Sequence, residues 1–259
     1  MFGRNQGVEW NSLLANLGAI LFFTFAFCSV AVSAGPLFPN SVVSHDIDLI
    51  TPEDPTVEAS VEFVGIEERE MPDKRHDNLM DDSTFVFKLA FDDKTVVEVW
   101  AHSDFDSQEA AQRYVQFLTG PLGKLPKHMR QPLLHVVLHK GNEIAYSEHL
   151  GHFFVLYSDN ILVRKRQSDL EETVFHESVH ATLDYRYANQ ADWLYAQQQD
   201  VEFVTEYAKS KPRGEDLAES ALFAFSLMNN PERMPPNVKA WLENNIPNRL
   251  RFLNDVLGR

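Results

Sequence analysis

The residues with the clearest chemical content are His176, Glu177 and His180, within the run Thr173-Val174-Phe175-His176-Glu177-Ser178-Val179-His180. Two histidines four positions apart stand one helical turn apart, so both imidazoles can reach a single zinc ion, and the glutamate between them can polarise water on that ion. A catalytic zinc takes three protein ligands, so a third is required. Arg186 stands six residues past the second histidine, and Leu183 stands where a glycine turn would have to lead to it, which excludes the metzincin arrangement. Asp184 lies a further turn along, ~12 Å from His176 at ~1.5 Å per residue. It is too far to share the ion and is read as a group supporting the ligands from behind or closing the helix. Glu215 and Glu219 lie four apart on one face of a later helix. One of them can bind the metal while the other hydrogen-bonds a ligand histidine.

Elements must exist to position these groups. Ser168 and Glu171 form a capping-box pair, so a helix is expected from about 169 to 185, with both histidines in its middle. Glu215 opens another, whose apolar face is Leu217, Ala218, Ala221, Leu222, Phe225 and Leu227, ended by Asn229-Asn230-Pro231. Upstream, a helix begins at Asp106 and is expected to stop at Gly120-Pro121. A buried strand follows over 133–138, then a turn over 139–142 and short strands over 153–157 and 161–163 around Ser158-Asp159-Asn160. A short helix over 193–199, capped by Asp192, an irregular stretch over 201–214 and helices over 238–244 and 249–257 complete the chain. Residues 105–259 therefore read as an α+β domain with a small mixed sheet, a site-bearing helix and C-terminal helices.

Residues 35–104 form an acidic, β-rich segment broken by Pro36, Pro39, Pro52, Pro55 and Pro72. Val57, Ala59, Val61 and Phe63 alternate with polar residues. Phe85, Phe87, Leu89 and Phe91 lead through Asp92-Asp93-Lys94 into 96–100, which predicts a hairpin. Residues 67–82 between the strands are expected as an exposed loop. The segment can be an inhibitory or substrate-docking module, or a β extension packed on the domain that follows. Residues 1–34 read as a secretory signal: an apolar run from Leu13, then Ala31-Val32-Ser33-Ala34 with small residues suited to cleavage after Ala34. The run also approaches the ~18 apolar residues of a membrane anchor. Cys28, the only cysteine, falls inside it, so no disulfide forms within the remaining chain, and a bacterial envelope or secreted location is expected. A net charge of -15 argues against nucleic acid or an anionic membrane surface as partner, while cationic peptides are tolerated.

The combination of His-Glu-x-x-His, Tyr207-Ala208 and Glu215-Asp216-x-Ala218-Glu219 resembles the gluzincin metallopeptidases of the anthrax lethal factor type, and is closer still to bacterial secreted zinc metallopeptidases of that group. Residues 138–142, 170–173, 182–184, 193–200 and 203–208 add to the resemblance, which spans about 109–230. It implies a zincin-like fold and a secreted zinc peptidase acting on peptide or protein substrates. It also implies His176, His180 and Glu215 as zinc ligands, Glu177 as general base, Glu219 behind a ligand histidine and Tyr207 as a hydrogen-bond donor to the transition state. The competing reading is a non-enzymatic envelope protein that keeps a structural zinc site for partner binding. A groove above the ion, lined by a strand edge and leaving a coordination position open, would separate the two.

Overall fold

The computed structural model describes residues 35–44, 47–77 and 79–259, so the signal peptide or anchor expected over 1–34 lies outside the described residues. Three strands come from the acidic segment: β1 (Ala59–Glu70), β2 (Met80–Phe91) and β3 (Val96–Ala101). Three follow later: β4 (His135–His139), β5 (Tyr146–Glu148) and β6 (Phe153–Tyr157). They form one six-stranded mixed sheet in the order β1-β2-β3-β4-β6-β5. The outer pairs are antiparallel, whereas β3 pairs parallel with β4 and β4 with β6.

This topology carries the sheet across the expected boundary at 104/105. Glu98 registers with His135 and Ala101 with Leu138, so the acidic segment supplies half the strands of a shared sheet and is not an appendage packed against it. The reason is chemical: β3 presents Val97, Val99 and Ala101, all fully buried, to the same core as Val136 and Leu138 of β4. The exposed loop expected over 67–82 shrinks accordingly. β1 runs through Glu70 and β2 starts at Met80. The connection folds onto the far face of the sheet, where Met71 packs with Val137, Val155 and Tyr157. Tyr157 donates to Asp73 at 3.0 Å, and Arg75 pairs with the same carboxylate.

The helices lie mainly on the other face. α1 (Gln108–Lys124) does not stop at Gly120-Pro121 but continues for a further turn with Pro121 inside it. The carbonyls at its end lack helical partners; the Leu125 and Val57 amides reach those of Leu122 and Gly123, and Arg130, 1% exposed, donates to the carbonyls of Leu122, Gly123 and Leu125 at 2.9–3.0 Å. Arg130 sits in α2 (Lys127–Arg130) and is held in turn by Asp93 at 2.5 Å. Residues 161–163, expected as a strand, are helical within α3 (Ser158–Gln167), with Asp159 in the first turn where the helix dipole favours an anion.

α4 (Leu170–Val179) follows after a sharp junction. The capping box is not formed: Ser168 takes the left-handed conformation (φ 63°) that ends α3, Asp169 stands at the start of α4, and the Glu171 carboxylate turns inward to within 3.8 Å of the Lys124 ammonium. All ten residues of α4 are buried, as befits a helix enclosed on every side; it packs between α1 and a later helix over 216–229. The helical path continues through a π segment, His180–Asp184, into the short α5 (Tyr185–Tyr187). Then come α6 (Ala191–Gln199), started by Gln190 rather than Asp192, and α7 (Glu206–Ser210), a helical turn within the stretch expected to be irregular. α8 (Asp216–Asn229), α9 (Pro236–Asn245) and α10 (Pro247–Leu257) close the chain. The architecture is α+β, with a mixed sheet and C-terminal helices, and no helix among the described residues is long and apolar enough to cross a membrane.

Candidate metal centre

His176 and His180 project from successive turns of the buried helix, and α8 brings Glu215 to meet them. His176 Nε2 and His180 Nε2 are 3.1 Å apart, and Glu215 Oε2 lies 3.3 Å from His180 Nε2 and 3.7 Å from His176 Nε2. Ligands ~2.0–2.1 Å from a tetrahedral ion stand ~3.3–3.4 Å from each other, so the three donor atoms already have the spacing of a shared cation. These three residues form the group among the described residues that can hold a metal ion.

Of the histidine atoms facing away from that focus, His180 Nδ1 is hydrogen-bonded and His176 Nδ1 is not. His180 Nδ1 meets Asp184 Oδ2 at 2.6 Å; the carboxylate accepts, so Nδ1 carries a proton and Nε2 is the nitrogen turned to the focus. Asp184 thus stands behind His180, at the far end of the π segment. His176 Nδ1 is buried without a hydrogen bond, and Glu219 Oε1 is its nearest carboxylate at 3.7 Å. Glu219 is fully buried. Tyr207 donates to Glu215 Oε1 at 2.7 Å, which leaves Oε2 for the focus. Lys211 donates to the Tyr207 hydroxyl at 3.1 Å.

The field of the site favours a cation. Burial pulls the His180 imidazole down, but Asp184 and Glu215 outweigh it and hold its pKa well above the ordinary value. Burial pushes the Glu215 carboxyl up, yet its contacts with His176, His180 and Tyr207 outweigh that and hold it well below the usual carboxylate range. For Tyr207, burial and then the bond to Glu215 both push the phenol up, so it remains a protonated donor.

The metal-facing atoms open into a cleft of about 1200 Å³ whose walls include Glu177, Tyr207 and the edge strand β5 through Tyr146 and Ser147. Ser147 was not singled out by its sequence context, and no local signal marks it. Its hydroxyl lies 2.5 Å from Glu177 Oε2 and 2.9 Å from the Glu177 carbonyl oxygen, fixing the glutamate beside the focus. His152 Nδ1 meets the Ala181 carbonyl at 3.0 Å, so that histidine buttresses the π segment. Despite the acidic composition, the cleft walls carry Lys74, Arg164, Lys211 and Arg213.

The structure therefore gathers His176, Glu177, His180, Asp184, Tyr207, Glu215 and Glu219 from α4, the π segment, α7 and the start of α8. Comparison with protein-family models, curated proteins and solved structures returns no match to this chain.

Proposed function

We propose that the protein is a zinc-dependent peptidase of zincin-like fold, exported from the cytoplasm, with His176, His180 and Glu215 as ligands. The observation that carries this reading is the convergence of three donor atoms at 3.1–3.7 Å on the floor of an open cleft, with Glu177 beside them. Two histidines and a carboxylate suit zinc, and a group of three leaves a position for substrate or water, where a structural site would close with a fourth protein ligand. That openness favours the enzymatic reading over a structural zinc site.

Zinc held there supplies Lewis acidity to water and to a substrate carbonyl. The remaining steps belong to the chain. β5, at the edge of the sheet, offers unpaired backbone groups to an extended peptide. Glu177, oriented by Ser147, accepts a proton from the water that attacks the carbonyl carbon. As the C–N bond breaks, Glu177 returns that proton to the departing amine, so protons balance. Asp184 holds the His180 tautomer. Tyr207, kept protonated by burial and by Glu215, lines the cleft wall with its one proton on Glu215 Oε1, and it would donate to the developing oxyanion by turning that proton away from the carboxylate.

The test is metal analysis of the purified protein together with a peptide-library digest, run beside Glu177→Gln. Wild type is expected to carry one zinc and cleave peptides, and the variant to keep zinc while losing at least ~100-fold in turnover. Undiminished hydrolysis by Glu177→Gln sinks the assignment.

A further inference from the structure

Glu219 poses a question that the ligand set does not answer. Its carboxylate is fully buried, and an ionised carboxylate in such a place is tolerated only when donors surround it. Thr205 supplies one, its hydroxyl 2.9 Å from Oε2. The other two come from the opposite end of the chain. Ser41 donates its hydroxyl to Oε1 at 2.6 Å, and the Val42 amide donates to Oε2 at 2.9 Å. The oxygen that Ser41 holds is the one nearest the unpartnered Nδ1 of His176.

The arm that brings Ser41 there is anchored along its length. Phe38 bridges in parallel to Thr205, with its amide 3.2 Å from the Val204 carbonyl and its own carbonyl accepting from the Glu206 amide at 2.9 Å. Its ring stacks on Phe223 of α8 at 5.9 Å. Arg164 of α3 donates to the Val43 carbonyl at 2.6 Å, and the Leu49 and Ile50 amides donate to Glu172 of α4. The arm thus holds both helices that carry metal ligands, through buried carboxylates on each.

We propose that Ser41 and the Val42 amide are positioning groups of the metal centre: they fix Glu219 as the acceptor for the outer N–H of His176 and so set metal affinity. This rests on the zinc reading above. A ligand histidine whose outer N–H lacks its acceptor binds metal ~10–100-fold more weakly. Loss of the Ser41 hydroxyl takes the donor from Glu219 Oε1, the oxygen nearest the imidazole, while Oε2 stays held by Val42 and Thr205. The sequence distance hides the relation, because nothing near Ser41 resembles a metal site.

The experiment uses the full-length protein, with zinc dissociation constants from competition against a chromophoric chelator and urea midpoints of the metal-free forms. Ser41→Ala is expected to weaken zinc by ~10-fold or more while its metal-free midpoint stays near wild type, and Ser41→Thr, which restores the hydroxyl, is expected to recover the affinity. Ser41→Cys, close in size with a weak donor, is expected to fall between and serves if the alanine variant fails to fold. Equal zinc affinity in wild type and in the folded Ala or Cys variant overturns the arm's role and leaves the metal site standing. Failure of wild type to bind zinc overturns the metal reading itself, and the arm's role with it.

Discussion

Glu172→Gln tests how the site-bearing helix is held. Glu172 stands one turn before His176 and is 1% exposed, with Oε1 accepting from the Leu49 amide at 2.5 Å and the Ile50 amide at 3.3 Å. Burial pushes its carboxyl up to about 8 from 4.5, against the pull of the two amides and with added push from Asp169 and Asp48. The folded protein therefore keeps a proton that the unfolded chain releases. Stability from this group is complete below the unfolded value of 4.5 and is lost as pH rises through the folded value of about 8. At ~1.36 kcal/mol per pH unit, that gap corresponds to at most about 5 kcal/mol. Glutamine keeps a carbonyl acceptor for Leu49 and Ile50 but cannot ionise. Urea unfolding of the metal-free proteins at about pH 5 and about pH 9 is expected to show wild type losing several kcal/mol more than the variant across the interval. Equal losses in the two proteins would refute the account of Glu172 as a buried neutral acid.

Asp184→Asn should weaken zinc ~10–100-fold by removing the carboxylate behind His180, read by the same chelator competition. An unchanged constant would mean that the 2.6 Å contact does not orient the imidazole. Arg249 is fully buried and donates to Asp216 at 2.8 Å and to the Glu202 carbonyl at 2.7 Å, with Asp200 at 3.5 Å. Arg249→Met leaves buried carboxylates without their cation beside the start of α8. It should cost about 3–5 kcal/mol in urea unfolding, and a loss below about 1 kcal/mol would show those acids to be neutral or hydrated.

By itself the sequence determined what depends on local period. Histidines four apart meet on one face of any helix, so His176 and His180 were legible before their surroundings were known, and so was the strand character of 85–91 and 153–157. Glu215 and Glu219 could be named as a pair on one helix face, but spacing left their roles open; resemblance suggested the division, and the structure places Glu215 at the focus and Glu219 behind His176. Where local signals competed, they misled: Ser168 looks like a cap and instead ends the preceding helix, and Pro121 looks like a stop until Arg130 satisfies the carbonyls beyond it. Tertiary structure decided the rest. The parallel pairing of β3 with β4 makes one sheet of two segments, and the short edge strand β5 brings Ser147 to Glu177. The arm sets Ser41 on Glu219 across 178 positions of chain. A hydrogen bond between residues so far apart in the chain leaves no periodic trace, because each partner's type is set by an atom its neighbours never meet.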